Sequence, residues 1–379
     1  MRIGIVSQSY YPRYGGVTEH VHHTAVELRR RGHDVTIITS NFREGEDGLP
    51  GVERIGMNVL VPFNRAFVDL TLGWNLRGDL DRMLRSYDFD LVHVHCPTAP
   101  TLPILALENA QAPLVGTFHF TGGRSALMDL FRSRLTRAVD RLSARVAVSK
   151  TARQSAELYF PGHYEMIPNG VDVERFHPEV EPFAEWRDPD RVNLLFVGRL
   201  DPRKGLDVML AAMPGILERT GGRARLLVVG DSYLRPKFEA SVAGAARRHV
   251  HFLGHVPSVD LPRWYATGDI FISPASGNES FGIVLLEAMA ATRAVVASDI
   301  PGYRSVVVPD VNGLLVPPGD AEALARTVSR LVEDPERRLL IAGRGRARAL
   351  EFAWPRVTER LESVYRDVLT RRGAVHSAA

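Results

Sequence analysis

Two glutamates, Glu279 and Glu287, bracket the start of an apolar helix in the segment SPASGNESFGIVLLEAMA, residues 273–290. A strand run ends near Ser273, a glycine-bearing turn follows, and good helix formers run from Ile283 to Ala291. The first N–H groups of a helix have no partner within it, so those of Gly282, Ile283 and Val284 form a cradle suited to a diphosphate. If the segment were helical throughout, the two carboxylates would stand roughly 12 Å apart along the axis. The acid and nucleophile of a retaining glycosidase need about 5–5.5 Å, so that chemistry is excluded. The spacing suits a grip on the two ends of a long ligand, a hexose and a ribose. Phe281, Leu285, Leu286 and Met289 surround the pair, which predicts a semi-buried Glu287, and burying a carboxylate is costly without a partner.

A second segment, FVGRLDPRKG at 196–205, runs from a strand into a turn carrying Arg199 and Lys204. Cations fixed beside a departing diphosphate stabilise the charge that grows as its bond breaks, and so favour the transition state over the ground state. Arg203 reads as a solvent-exposed neighbour. A third, YYPRYGGVTEHV at 10–21, places Gly15 and Gly16 at the start of the first long helix, where the backbone can approach a phosphate closely. The G-x-G-x-x-G spacing of dinucleotide binding is absent there, which argues against a nicotinamide enzyme. A fourth, VGTFHFTGG at 115–123, puts His119 at the end of a strand, where it either hydrogen-bonds a sugar or is satisfied by backbone. His93 and His95 read as structural. No D-x-D pair (Asp79/Asp81, Asp88/Asp90, Asp188/Asp190) follows an apolar strand, so no metal site is expected.

Short β-branched runs alternate with helical patterns throughout, the signature of parallel α/β architecture. Six runs precede the polar stretch EVEPFAEWRDPDR at 179–191 and six follow it. The prediction is therefore two Rossmann-like, doubly wound domains facing a cleft. The first covers residues 1–178 and the second 179–353, with an amphipathic tail helix from Trp354 that could cap either. A length of 379 residues suits two cores. Residues 1–180 hold 20 basic and 20 acidic side chains and the remainder 27 and 24, so neither half is a basic slab of the kind that tracks nucleic acid. One cysteine, Cys96, cannot form an internal disulfide, and no apolar run is long enough for a leader or a membrane span; a cytoplasmic setting is expected. Residues 123–145 carry six arginines against two aspartates, with Leu127, Phe131, Leu135, Val139 and Leu142 along one face. This is expected to be one basic amphipathic helix, lying either on an anionic membrane surface or on the sheet.

Together these residues resemble the retaining glycosyltransferases of family four, with the GT-B fold. The likeness spans GGVTEHV, IPNGVDVERFHP at 167–178, GRLDPRKG and ESFGIVLLEAMA. HCPTAPTLPILALE at 95–108 followed by VGTFHF looks similar to bacterial phosphatidylinositol mannosyltransferases. The resemblance implies a nucleotide-diphosphate-sugar donor, GDP-mannose first and a UDP-hexose second, a lipid or glycan acceptor, and no required cofactor. It implies that Gly16 meets the donor diphosphate, that Arg199 and Lys204 hold it, and that Glu279 contacts the hexose and Glu287 the ribose. His119 would sit beside the reacting sugar and Val256, in the Gly254–Pro257 turn, beside the base. Ser280, Phe281, Gly282 and Ile283 would complete the donor site, Tyr10 and Asn64 would meet the acceptor, and the tail helix would cross back to the first domain. Two departures stand out. Thr292 replaces a glycine usual after EAMA-A, so a different local backbone is expected. After Pro62-Phe63-Asn64 the chain reads Arg65, Asp69, Thr71, and a carboxylate facing a phosphate argues against phosphatidylinositol as acceptor. A nucleotide-sugar epimerase and a non-catalytic sugar-nucleotide-binding module are the rival readings.

Overall fold

A computed structural model describes residues 1–42, 49–63, 66–277 and 279–377. The chain divides into two compact units, Met1–Asn169 with the chain from Trp354 onward, and Gly170–Ala353. The expected boundary after residue 178 thus falls inside the second unit. Val171 and Phe176 pack in that unit's core, and the Val171 N–H donates to the Phe352 carbonyl at 2.9 Å. Asn64 and Arg65 lie outside the described residues.

The first unit runs β1 (Arg2–Val6), α1 (Gly16–Arg30), β2 (Asp34–Asn41), β3 (Val52–Phe63), β4 (Ala66–Leu72), α2 (Leu76–Ser86), β5 (Leu91–His95), α3 (Leu102–Asn109), β6 (Leu114–Phe118), α4 (Ala126–Leu130), α5 (Arg132–Val139), β7 (Leu142–Ala147), α6 (Lys150–Glu157) and β8 (Glu165–Met166). Its sheet has the order β4-β3-β2-β1-β5-β6-β7-β8, parallel except for the antiparallel β3–β4 pair. Strands buried on both faces explain the near-continuous apolar runs. Ile3 and Ile5 enter one core, while Val92 and Val94 enter the other with Leu80 and Leu107. The sheet has eight strands where six were expected. The extra pair is an edge ribbon whose sequence mixes Glu53, Arg54 and Asn58 with exposed Met57 and Leu60, so it lacks the continuous apolar signal.

The second unit runs β9 (Val192–Val197), α7 (Leu206–Arg219), β10 (Ala224–Val229), α8 (Arg235–Ser241), β11 (Val250–Gly254), α9 (Leu261–Thr267), β12 (Ile270–Ser273), α10 (Ile283–Ala290), β13 (Ala294–Ser298), β14 (Leu314–Val316), α11 (Ala321–Glu333) and α12 (Pro335–Glu351). All six expected strands are present, parallel, in the order β11-β10-β9-β12-β13-β14. This is the doubly wound 3-2-1-4-5-6 order, which reverses between β9 and β12. The tail helix α13 (Trp354–Ser377) belongs to the first unit, where Val357, Leu361, Tyr365 and Val368 join the core of Ile3 and Ile5.

The continuous helix expected over 123–145 does not form. The chain breaks at Phe131 between α4 and α5, and residues 142–147 pair with β6 as β7. Sheet pairing overrides the helical periodicity there. Three of the six arginines are engaged by the protein, Arg134 forking onto Glu108 at 2.7 and 3.1 Å, Arg141 onto the Leu107 and Ala110 carbonyls, and Arg145 onto Asp140 at 3.0 Å. No helix among the described residues is long and apolar enough to cross a membrane.

At Thr292 the backbone is unusual for a β-branched residue. It takes the left-handed conformation, φ 59°, at which α10 ends, and the Arg293 N–H closes onto the Ala288 carbonyl at 2.9 Å. A β-branched residue is strained in that conformation, and its hydroxyl is buried without a hydrogen-bond partner. Thr292→Gly is therefore expected to raise stability by about 1 kcal/mol in chemical denaturation. An equal or lower midpoint would show that the threonine costs nothing.

Candidate functional site

Ligands of doubly wound sheets bind beyond the carboxyl ends of the strands, where the order reverses. In the second unit those ends are Val197 and Ser273, and the two loops leaving them carry GRLDPRKG and the Glu279 segment. The loops are tied together. The Ser276 N–H donates to the Arg203 carbonyl at 2.9 Å, and Gly205, at φ 72°, lies so close to the Pro274 carbonyl that a Cβ would fall 1.9 Å from its oxygen.

That contact brings two of the expected residues together. Lys204 Nζ is 2.7 Å from Glu279 Oε1, with side chains 25% and 18% exposed. Water still reaches the pair and screens part of its attraction. Arg199 is 62% exposed and only loosely tied to Asp201 at 3.4 Å. Asp201 is held mainly by Arg203, whose Nη2 donates at 2.8 Å. Burial alone would raise the Asp201 carboxyl, but hydrogen bonds from Arg203 and the charges of Arg203 and Arg199 bring it below its usual range. Arg203 is thus a brace for the turn, and Arg199 is the cation left facing outward.

The start of α10 is shaped by its own packing. Phe281 is buried, Ser280 is half-buried, and Gly282 caps α10 at φ 96°, which spares it the side chain that would meet the Tyr303 ring at 2.8 Å. Among the described residues no hydrogen bond uses the N–H of Gly282, Ile283 or Val284. Glu287 is half-buried one turn further on and accepts from the Tyr265 hydroxyl at 2.6 Å. Burial, and then the charge of Glu287, push that hydroxyl well above its ordinary range, so it stays a donor. Val256 packs against the same core as Tyr265 and Leu285. Sequence reasoning missed Tyr265 and Tyr303. Tyr303 meets Ser273 Oγ at 2.6 Å at the end of β12, under the Glu279 loop. Lone tyrosines in apolar runs give no pattern from which this is readable.

In the first unit the order reverses between β1 and β5. Gly16 opens α1 there and is exposed. Tyr10, expected on the acceptor, is instead 2% exposed in the core, its hydroxyl 2.9 Å from His22 Nδ1, because the loop after β1 folds its ring in against the Ile3 and Ile5 core. Asp69 lies on the same side of the fold, accepting from Ser9 Oγ at 2.6 Å and from Arg13 at 2.5 Å, so its charge is cancelled. His119 is 8% exposed, and its Nε2 lies 2.9 Å from His95 Nδ1. His20, unforeseen, completes a buried trio with its Nδ1 2.8 Å from Asn169 Oδ1. His93 is structural as expected, bridging the Tyr365 hydroxyl at 2.6 Å and Thr117 Oγ1 at 2.7 Å. One nitrogen from each of His20, His95 and His119 lies within 4.8 Å of the others, a set that could in principle converge on a cation.

A family model described as glycosyl transferases group 1 matches residues 191–334, and one described as glycosyltransferase family 4 matches residues 14–175. A phosphatidyl-myo-inositol mannosyltransferase of Mycolicibacterium smegmatis is 34% identical over 373 residues, covering 97% of this chain and 94% of that protein. A D-inositol 3-phosphate glycosyltransferase of Streptosporangium roseum is 31% identical over 388 residues, covering 93% and 88%. A crystal structure of a glycosyltransferase from Rickettsia africae matches with a TM-score of 0.76 at 20% identity, over 97% of this chain and 99% of that one, which shows a shared fold.

The packing of Gly205 generates a direct check. Gly205→Ala forces a Cβ against the Pro274 carbonyl and a side chain into left-handed backbone, so the two loops must part. A loss of roughly 2 kcal/mol or more in chemical denaturation is expected. A variant as stable as wild type would show that the loops are not braced there.

Proposed function

This chain belongs to glycosyltransferase family 4, and from that premise we propose that it transfers mannose from GDP-mannose, with retention of configuration, to a lipid or glycan acceptor. The observation that carries the reading is the Lys204–Glu279 pair beside Arg199 and the unused amides at the start of α10. A nucleoside diphosphate has the charge and length for this arrangement. Its phosphates take Arg199, Lys204 and the amides of Gly282, Ile283 and Val284, while its ribose hydroxyls take Glu287, oriented by Tyr265. Glu279, released by Lys204, then accepts from the hexose hydroxyls, and the backbone near Val256 meets the base. Gly16 and His119 are the first unit's contribution to substrate binding.

Neither glutamate is asked to be a nucleophile: Glu279 accepts from the hexose hydroxyls, and Glu287 from the ribose and from Tyr265. The glycosidic bond breaks as the diphosphate leaves toward Arg199 and Lys204. The acceptor hydroxyl attacks from the same face and its proton passes to the departing phosphate oxygen. Positioning and charge stabilisation carry the rate. The closed Arg13–Asp69 pair supports an acceptor that presents hydroxyls rather than a phosphate at that point.

The test is product analysis by mass spectrometry and NMR, with GDP-mannose or UDP-hexoses against lipid and soluble acceptors. GDP-mannose should be consumed, giving a product with the donor's anomeric configuration. Lys204→Ala and Glu279→Ala should each remain folded and lose roughly 100-fold or more in transfer rate. Near-wild-type turnover in either would sink the assignment, turnover of UDP-hexoses alone would replace the donor, and an epimerised donor without acceptor would favour an epimerase.

A further inference from the structure

The three buried imidazoles of the first unit come from different elements: His20 from α1, His95 from the last position of β5, and His119 from the residue after β6. Their ring centroids lie 4.9 to 5.3 Å apart. Burial holds all three neutral, lowering His20 to about 4 and His95 and His119 well below the usual imidazole range. A neutral imidazole has one N–H and one lone pair, so a hydrogen bond between two of them fixes both tautomers together.

His95 Nδ1 and His119 Nε2 are 2.9 Å apart, and His95 Nε2 is buried with no partner. If His119 donated, His95 would bury a bare N–H at Nε2. If His95 donates, it buries only an unused lone pair. Orphaned buried N–H groups are the rarer, while under-used acceptors are better tolerated. The second arrangement is favoured, and it leaves the His119 proton on Nδ1, an atom with no hydrogen bond among the described residues.

We propose that His95 is a positioning residue: by donating from Nδ1 it locks His119 in the Nδ1–H tautomer, so that His119 offers its substrate a neutral N–H donor rather than a base or a cation. The proposal rests on the reading that His119 touches substrate. A metal held by the same three rings fits less well. Ligand nitrogens around a tetrahedral zinc at about 2.0–2.1 Å stand roughly 3.3 Å apart, whereas the His95–His119 separation is that of a hydrogen bond. The trio also contains no anion to offset a buried divalent charge.

Long-range proton–nitrogen NMR on the full-length protein carrying nitrogen-15 histidine reads the tautomers directly, with assignment from His119→Gln and the His95 variants. Wild-type His119 should be protonated at Nδ1 and bare at Nε2. His95→Asn keeps an amide donor near the Nδ1 position and should retain both the tautomer and a transfer rate within about threefold of wild type. His95→Leu removes the donor, so the His119 proton should move to Nε2 and kcat should fall by about tenfold with little change in donor KM. A wild-type His119 protonated at Nε2, a tautomer unmoved in His95→Leu, or stoichiometric zinc in the purified protein would overturn the proposal. A tautomer that moves without loss of rate would instead overturn the substrate contact of His119 on which it rests.

Discussion

Where the strand order of the second unit reverses, the loops leaving β9 and β12 emerge at the same carboxyl edge of the sheet. Lys204 and Glu279 meet there at 2.7 Å with water still reaching both. The glutamate keeps the ammonium near the start of α10, and on the proposed reading an arriving diphosphate takes the ammonium over. Two charges on a phosphate, the helix amides and Arg199 outweigh one carboxylate. On the same reading the carboxylate so released becomes the acceptor for the hexose hydroxyls, so that one ion pair would store a cation before binding and supply a sugar contact after it.

The first unit solves a different problem at its own point of reversal. No lysine or arginine takes part in its buried cluster; it gathers imidazoles deep enough that burial keeps them neutral. A sugar presents hydroxyls, which need directional donors and acceptors rather than net charge, and neutral rings of fixed tautomer supply them. Asn169 and His95 play toward His20 and His119 the part that Tyr265 plays toward Glu287, each fixing which atom carries the proton.

Much of this was legible in the sequence for a definite reason. The second unit's six strands are continuous apolar runs, and the motifs sit directly after the first and fourth, so the sheet order alone brings Arg199, Lys204 and Glu279 into one region. The first unit was harder. The β3–β4 ribbon is half solvated and carries charges, so its strands gave no apolar run. Residues 123–145 have helical periodicity, yet their last part is drawn into the sheet by β6. Tyr10 was expected on the acceptor from the resemblance, but the loop after β1 folds it into the core. The imidazole trio joins positions 20, 95 and 119, and such distant positions are united only by the parallel order of β1, β5 and β6. Thr292 shows the reverse case: its left-handed backbone is set by the end of α10 and not by any preference of the residue itself.

The exchange of Lys204 from Glu279 to a diphosphate is tested most directly by calorimetric titration of GDP into wild type, Glu279→Gln and Lys204→Met. If the exchange occurs, Glu279→Gln frees the ammonium beforehand and should bind GDP about fivefold more tightly, near 1 kcal/mol, while Lys204→Met should bind it at least tenfold more weakly. Equal affinities in all three proteins would contradict it, because the cation held by Glu279 would then have no part in holding the nucleotide.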